Sequence, residues 1–368
     1  MKKWVAFIGC FFTLVILCAQ QSKYSNEFLS LGIGARGLSM SNTMTAIAND
    51  VTAGYWNPAC LSVMDKRYEL ALMHAEYFAG IAKYDYGAIA VRIDSQSTVG
   101  LSYIRFGVDN IMNTTELIDN QGNVNYNRIS YFSSADHAVF LSYAHHFKQI
   151  RCLSVGGNVK ILRRVIGKFA GAWGFGLDLG VHFEIKGWHI AGVLHDATST
   201  FNAWSYHLSD QVKQVFVETG NEIPKNSLEL TLPKFSLGIG KYVELGKGFN
   251  ATFAVDFDLT FDGMRNTLIH SKILCIDPHF GMEFAYKKIV AIRAGIGNFQ
   301  QEKDFDQKKK TTLQINLGIG VCIKKIVTID YALTDIGDLS IAQYSHVFSL
   351  KIGINTFKRK AKPAVLTE

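Results

Sequence analysis

Beyond its first twenty residues the sequence lacks any hydrophobic run long enough for a membrane-spanning helix, which needs about 18 consecutive apolar residues. Charged residues are also scarce, at 19% of the 368 residues, whereas 48% are hydrophobic. This composition leaves two possibilities: a large soluble β core, or strands whose apolar residues alternate toward lipid. The 15 tyrosines and 25 phenylalanines favour lipid-facing strands, because aromatic girdles border such barrels.

Closely spaced cysteines are absent as well. Two of the six lie within the first twenty residues, and the other four are scattered as Cys60, Cys152, Cys275 and Cys322. A disulfide framework or a zinc site has tighter spacing, so we expect free, buried thiols and no metal. The formal net charge of +7 is diffuse, which argues against a nucleic-acid partner.

The N-terminal residues 1–20 have the three parts of an export signal. Two lysines supply the positive start, residues 4–18 form an apolar stretch, and Ala19 opens a plausible cleavage zone. Acylation of Cys18 is a weaker alternative, because the bulky Leu17 stands where lipoprotein signals have a small residue. We therefore predict an exported protein with a signal peptide over residues 1–20.

Several segments alternate strictly between large apolar and small or polar side chains, most clearly Trp173–Phe183, Ala251–Phe261 and Leu313–Val321. A period of two over about ten residues matches a transmembrane strand and is roughly twice the length of an ordinary globular strand. About fourteen such segments are predicted: 68–78, 81–93, 98–106, 136–147, 152–165, 172–183, 188–196, 233–243, 249–261, 277–286, 289–297, 312–322, 327–333 and 346–357.

The connections between these segments alternate between short ones, such as 94–97 and 287–288, and mostly long ones, such as 197–232. Tight periplasmic turns and longer outer loops produce that alternation. We therefore predict an all-β fold, a transmembrane antiparallel β-barrel of about 14 strands over residues 66–357. It is expected in the cell outer membrane, in contact with outer-membrane lipid and with both chain ends in the periplasm.

Residues 21–65, between the export signal and the first strand, differ from the barrel segments. Positions 35–48 can form one short helix, and Asn57-Pro58 ends any helix. The segment is too apolar to hang free in the periplasm, so we predict an N-terminal helical plug in the lower lumen. The basic residues 358–368 are expected to form a solvated periplasmic tail.

The run from Gly32 to Gly37 matches the G-x-G-x-x-G pattern of dinucleotide-binding folds, and Asp50 follows at about the distance of a ribose-binding acid. That pattern has meaning only inside a βαβ unit, whereas here antiparallel-type strands follow. We therefore expect no cofactor. The glycines instead predict close packing of this segment against the barrel wall.

Six polar residues of the predicted strands fall on the inferred inner face: Asp178, His182, Asp256, Asp258, Glu283 and Arg293. Polar lumen residues are ordinary in barrels. No serine-elbow, zincin or P-loop pattern accompanies them, so we predict that the protein is not an enzyme.

The predicted outer loop 197–232 is rich in aromatic residues, with Phe201, Trp204 and Tyr206 near helical or irregular spacing. Exposed aromatics beside an apolar stripe predict a surface for binding a partner. The alternative is a loop that folds over the barrel and seals its mouth. The sequence favours neither.

Three runs of the predicted plug resemble the opening signature of the PorV/PorQ family: residues 27–38 (EFLSLGIGARGL), 46–50 (AIAND) and 55–59 (YWNPA). The pieces 281–284 (GMEF), 293–295 (RAG) and 330–332 (DYA) fit the same family's final strands. The resemblance extends from about Glu27 to Phe357 and includes Gly32, Gly34, Arg36, Asn57 and Pro58 as structural signature residues. Cys60 departs from it, because the family usually has glycine there.

The resemblance implies the fold of FadL, a fourteen-stranded barrel with an N-terminal plug, and a non-enzymatic role in the type IX secretion system of Bacteroidetes. The implied partners are the large translocon barrel, secreted cargo with a C-terminal signal domain, and a surface attachment complex containing a sortase. The alternative function is FadL-like uptake of hydrophobic small molecules.

Overall fold

Antiparallel pairing runs from β1 around the molecule to β17, which pairs back with β1. The computed structural model describes residues 25–118, 121–150, 152–303, 309–336 and 344–355. The predicted export signal and basic tail lie outside these ranges. The closed ring has 14 wall strands, which confirms the antiparallel barrel predicted from the sequence.

The strands in chain order are β1 Tyr68–Tyr77, β2 Ala82–Arg92, β3 Ser97–Asn113, β4 Ser130–His146, β5 Leu153–Ile166, β6 Ala170–Ile185, β7 Trp188–His195, β8 Thr200–Tyr206, β9 Ser227–Thr231, β10 Lys234–Gly246, β11 Phe249–Thr260, β12 Ile269–His270, β13 Cys275–Tyr286, β14 Val290–Lys303, β15 Lys309–Ile323, β16 Val327–Ile336 and β17 Ser345–Ile354. The ring passes from β7 directly to β10, and from β11 directly to β13. Strands β8, β9 and β12 therefore extend wall strands at one end.

The two ends of the barrel differ in their connections. One end has tight turns such as 186–187 and 247–248, and the other has longer connections such as 207–226. In outer-membrane barrels the tight turns face the periplasm and the long loops face outward. The two ends are called the periplasmic end and the outer end below.

The outward face of the wall is a band of large apolar side chains. Trp173, Leu179 and Ile292 are 60%, 56% and 62% exposed, and their strand neighbours on the opposite face are small or polar. A closed wall leaves no unpaired strand edge in hydrocarbon. The fold and its apolar band thus place the chain in the outer membrane. Among the described helices, none combines the length and the apolar character that crossing a membrane requires.

Residues 25–67, called the plug below, lie inside the barrel before β1 begins. They contain two short α-helices, α1 (Ala35–Ser39) and α2 (Ala53–Trp56), and a 3₁₀ helix at Pro58–Val63. A further 3₁₀ turn spans Glu27–Leu29. The plug is almost wholly buried and crosses the middle of the lumen, with its first residues toward the outer end.

The predicted helix over 35–48 is wrong beyond Ser39. The chain turns there, because Ser41 and Asn42 adopt positive φ angles of 51° and 66°. The turn carries the Met40 backbone against the wall, where a helix would be too wide to pass. Helical periodicity alone could not reveal this constraint.

The apolar side of the plug packs on β1–β5. Inward residues of these strands and the plug form one buried cluster: Phe28, Ile33, Leu38, Met40, Met44, Val51, Trp56, Leu61 and Met64 from the plug, with Met73, Tyr84, Tyr86, Ile104, Phe140 and Leu162 from the wall. Burial of this kind stabilises by about 25 cal/mol per Å² of apolar surface. The plug is therefore part of the hydrophobic core.

Inward glycines let the plug backbone approach the wall. A Cβ on Gly156 would lie 2.5 Å from both the Pro58 carbonyl carbon and the Ala59 nitrogen. A Cβ on Gly281 would lie 2.7 Å from the Met40 carbonyl oxygen. The alternating glycines of the strands thus mark where the plug backbone touches the barrel.

The segment predicted as outer loop 197–232 is largely regular structure. It contains β8, a helix α3 (Asp210–Glu218) and β9. Strands β8 and β9 continue β7 and β10 beyond interruptions at 196–199 and 232–233. The interruption after His195 includes Asp196 and Ser199 in left-handed backbone conformations, with φ angles of 54° and 58°.

Candidate functional site

Arg36 of the plug lies at the centre of an ion network near the periplasmic end. Its Nε and Nη2 donate to the two carboxylate oxygens of Glu283, at 3.0 and 3.2 Å. Arg293 donates to the same carboxylate at 2.6 Å and to Asp330 at 2.7 Å. Two arginines and two carboxylates are thereby satisfied together, as buried charges require.

Asp50 forms a second contact between plug and wall. Lys351 of β17 donates to it at 2.5 Å, and Arg36 lies 3.9 Å away. Burial alone would raise the pKa of Asp50, but Lys351 and Arg36 outweigh it and hold the pKa well below its usual range. Asp50 is therefore ionised at neutral pH, and it also accepts from the backbone of Thr52.

Asn57 and Pro58, the signature residues at the end of α2, organise the central part of the plug. The Asn57 side chain donates to the Thr45 carbonyl at 2.9 Å and to Val181 of β6 at 3.2 Å. Its oxygen accepts from the Ala59 backbone at 3.0 Å and so caps the 3₁₀ helix that begins at Pro58. These residues hold backbone geometry and face no open site.

Gly32 and Gly34 take positive φ angles of 90° and 74°, which favour glycine. The Gly32 amide donates to the Tyr55 hydroxyl at 3.1 Å, and Gly34 precedes the first residue of α1. Both glycines therefore serve a turn within the plug. Dinucleotide binding, which the sequence pattern resembles, gains no support from this geometry.

The six predicted lumen residues all face inward but belong to separate groups. Glu283 and Arg293 lie in the Arg36 network. Asp256 accepts from the Thr45 backbone at 2.8 Å, and His182 lies 3.3 Å from His189. The remaining two, Asp178 and Asp258, border the cavity described below.

Lys160 of β5 is almost completely buried beside two carboxylates. Its ammonium contacts Asp178 at 2.8 Å and also pairs with Asp196, which in turn accepts from Thr200. The Asp196 backbone donates to Asp178 at 2.9 Å. This group fixes the interruption between β7 and β8. Lys160 was not among the lumen residues predicted from the sequence, although its inward position within an alternating strand is a usable signal.

A cavity of about 100 Å³ lies between the outer side of the plug and the wall. One part of its lining is apolar, with Leu29, Phe140 and Phe261, and another part is charged, with Lys234 and Asp258. The Lys234 ammonium and the Asp258 carboxylate are 3.1 Å apart. The lining therefore suits a molecule with one apolar part and one polar part.

Two residues of the cavity lining carry a buried polar atom without a hydrogen-bond partner among the described residues: Nε1 of Trp56 and Oδ1 of Asn42. An orphaned buried donor or acceptor costs free energy that a bound molecule or water can recover. One is a donor and the other an acceptor. Both come from the plug, so a bound molecule would contact the plug directly.

Two larger spaces lie on opposite sides of the plug. An outer vestibule of about 400 Å³ shares Glu27, Asn42 and Arg265 with the cavity, so the cavity is continuous with the outer side. A lower vestibule of about 400 Å³ is lined by the Arg36 network and the periplasmic turns. Passage between the two vestibules requires the plug to change its position or shape.

The three aromatic residues for which the sequence left partner binding and sealing of the barrel mouth open do not form one surface. Phe201 points outward and is 40% exposed. Trp204 donates to Glu229 at 2.6 Å and lies 5.0 Å below the Arg164 guanidinium. Tyr206 stacks on Trp204 with ring centroids 6.3 Å apart. The alternation of β8 separates Phe201 from the other two.

The structure shows Cys60, Cys152, Cys275 and Cys322 as free thiols, of which Cys60 and Cys275 are buried and the other two are partly exposed. Burial raises the pKa of the Cys60 thiol, and the Asp256 carboxylate adds to that effect. Within the described ranges, no group of three or more His, Cys, Asp and Glu side chains is arranged to hold a metal ion.

Comparisons by sequence and by structure give different results. No protein-family model matches the sequence, and no curated protein matches it. Many solved structures match the fold. The CymD monoaromatic hydrocarbon channel has a TM-score of 0.55 and 13% identity, covering 88% of this chain and 98% of that one.

Two further structures are similar to a comparable extent. The Pseudomonas putida toluene transporter TodX has a TM-score of 0.54 and 12% identity, covering 87% of this chain and 96% of its own. A Pseudomonas aeruginosa FadL homologue has a TM-score of 0.51 and 12% identity, covering 86% and 97%. At such low identity the likeness concerns the fold alone. The chain has the FadL-like fold of an outer-membrane β-barrel.

Proposed function

We propose that the barrel admits a small amphipathic molecule from the outer surface, and that the 100 Å³ cavity above the plug is its first binding site. The sequence predicted FadL-like uptake of hydrophobic small molecules as the alternative function, and the present proposal narrows that class to an amphipathic molecule. The fold supports it, because the similar structures include a monoaromatic hydrocarbon channel and a toluene transporter. The observation that carries it is the cavity itself, with two orphaned polar atoms beside an apolar wall.

The size and lining of the cavity indicate the class of molecule. An engineered protein cavity of roughly 150 Å³ binds benzene, so a cavity of about 100 Å³ accommodates a group of about one small ring. Leu29, Phe140 and Phe261 would contact that ring. Trp56 Nε1 would donate to a polar substituent, which a pure hydrocarbon lacks.

Uptake of radiolabelled phenol and toluene into proteoliposomes tests this proposal. Leu29→Trp fills the cavity and should reduce phenol uptake to near the empty-liposome level. Leu31→Trp is the matched control, because Leu31 lines the outer vestibule and not the cavity. Trp56→Phe keeps an aromatic side chain but removes the indole N–H donor, so it should reduce phenol uptake more than toluene uptake. Phenol flux equal to that of empty liposomes would refute the proposal.

A second candidate is the type IX secretion role implied by the family resemblance, in which the outer end binds the translocon barrel, cargo or the attachment complex. Strands β3 and β4 extend at the outer end to Asn113 and from Ser130, and they present exposed Met112 and Tyr131. Exposed apolar residues above the membrane suit a protein contact.

A pull-down from the native membrane, read by mass spectrometry, distinguishes the two functions. Recovery of a very large barrel with secreted proteins that share a C-terminal domain would support the secretion role. Their recovery should fall with Met112→Ser together with Tyr131→Ser, whereas Ile118→Ser is an exposed control in the connection between the same strands. Unchanged recovery would remove this outer surface from the proposal.

A further inference from the structure

Four tight turns at the periplasmic end begin with a lysine in the left-handed backbone conformation. Lys186, Lys247, Lys287 and Lys324 have φ angles of 50°, 52°, 50° and 50°. In two of these turns the second residue is also a left-handed lysine, Lys288 or Lys325. These six exposed lysines are called the lysine rim.

Turn chemistry does not account for lysine at these positions. Left-handed turn residues are normally glycine, which has no Cβ to clash with the backbone, or asparagine and aspartate, whose short polar side chains hydrogen-bond the local backbone. The run Lys-Lys-Ile-Val nevertheless occurs twice, at 287–290 and at 324–327. Lysine therefore recurs from turn to turn although it is unfavourable for this backbone conformation. The property that these positions share is positive charge.

The charge of the lysine rim is uncompensated. Among the described side chains, none of its six ammonium groups pairs with a carboxylate, whereas the lysines and arginines of the lumen networks do. Exposed Glu184 and Glu244 flank two of the turns, so the six lysines exceed these acids by four charges. The rim therefore presents a net positive surface to the periplasm.

The rim follows more than half of the ring at the periplasmic end, because its turns join eight of the 14 wall strands, and it lies beside the lower vestibule. Its turns join strands that are consecutive around the wall: β6 with β7, β10 with β11, β13 with β14 and β15 with β16. Lys288 and Lys325 line the 400 Å³ lower vestibule, which opens beside the same strands. A partner seated at the mouth of this vestibule would contact lysines from several turns at once.

We propose that the lysine rim is a docking surface for an acidic segment of a periplasmic protein, which would lie over the mouth of the lower vestibule. Acidic side chains complement the rim, and the vestibule has room for several of them. This interaction is independent of the small-molecule uptake proposed above. Because the charges are exposed, salt should weaken it, since the screening length falls to about 10 Å at 0.1 M.

The test uses the full-length barrel in nanodiscs of zwitterionic lipid and a fluorescein-labelled peptide of twelve residues that alternates glutamate with glycine and serine. Fluorescence anisotropy should show peptide binding whose affinity falls at least tenfold between 50 and 300 mM salt. A peptide with glutamine in place of glutamate is the control. Replacing Lys186, Lys247, Lys288 and Lys325 with glutamine should weaken binding at least tenfold. Replacing the same four with arginine should preserve binding.

A matched control changes four lysines of the outer end to glutamine: Lys168, Lys213, Lys225 and Lys310. It alters the net charge equally and should leave peptide affinity within twofold. Equal loss in both glutamine variants would overturn a local docking surface. The variants are also compared in nanodiscs with anionic lipid. If the rim variant retains less anionic lipid than the control but binds the peptide with unchanged affinity, the rim binds lipid headgroups and the proposal is refuted. Heat-shifted gel mobility verifies folding of every variant.

Discussion

Arg36 of the plug and Glu283 of β13 meet in a two-point ion pair, with both carboxylate oxygens accepting from one guanidinium at 3.0 and 3.2 Å. Glu283 is also held by Arg293. Plug and wall therefore share one charge network, which gives each of its members a measurable role in plug docking.

Arg36→Gln should loosen the plug while leaving the wall intact. The substitution removes charge-assisted hydrogen bonds and should lower the free energy of plug docking by about 1.5–3 kcal/mol. The loss is no larger because Glu283 still accepts from Arg293. Hydrogen exchange read by mass spectrometry should rise in residues 33–50 and stay unchanged in the strands. The control is Asn49→Ala, because exposed Asn49 also accepts from Arg36, at 2.8 Å. Equal exchange in Arg36→Gln and wild type would show that the pair does not hold the plug.

Asp50 predicts how plug docking depends on pH. Its pKa is lower in the folded protein than the ordinary value of 3.8, so the unfolded chain takes up its proton first as pH falls. The stabilisation that ionised Asp50 gives the folded protein is complete above about pH 4. It is lost as the pH falls through the pKa that Asp50 has in the folded protein. Asp50→Asn should lower the unfolding free energy at pH 7, and its difference from wild type should shrink in acid. A constant difference would contradict this assignment.

Gly156→Ala should destabilise the protein by about 1–3 kcal/mol, because the new methyl group would overlap the plug backbone at Pro58 and Ala59. Gly157→Ala on the same strand is the matched control. Its Cβ would meet the Asp178 carbonyl oxygen at 3.2 Å, on the face away from the plug. Thermal unfolding in detergent should separate the two variants. Similar melting temperatures would show that the plug moves aside at little cost.

Cys60 should be an unreactive thiol while the plug is docked. Burial and the nearby Asp256 raise its pKa, so the reactive thiolate is scarce at neutral pH. Maleimide labelling read by peptide mass spectrometry should modify the partly exposed Cys152 and Cys322 first. Rapid labelling of Cys60 in the wild type would mean that the plug opens spontaneously.

The alternation of side chains predicted most of the wall, because each strand has one lipid face and one lumen face. Trp173–Phe183 lies within β6 as observed, at Ala170–Ile185. Strands such as β3 run farther outward than predicted, to Asn113, since hydrogen bonding continues above the lipid where the apolar pattern stops. The chain is interrupted between β7 and β8, so β8 was predicted as part of the loop 197–232.

The inner face was predictable, but its contacts were not. Inward placement of Glu283 and Arg293 follows from strand alternation. Their partner Arg36 lies roughly 250 positions away in sequence, and no local pattern links it to them. The cavity beside Trp56 depends likewise on how the plug folds across the lumen.

One side of the plug contacts the wall through apolar side chains, and the other side contacts it through charged side chains. Separating it from β1–β5 would expose apolar surface to water, which costs free energy for every Å². Separating Arg36 and Asp50 from β13 and β17 breaks buried ion pairs, but the charges regain hydration, which offsets much of the lost attraction. We therefore expect any plug motion to have a direction: the charged side would detach first with the apolar side as the pivot, which would open a gap beside β13–β17.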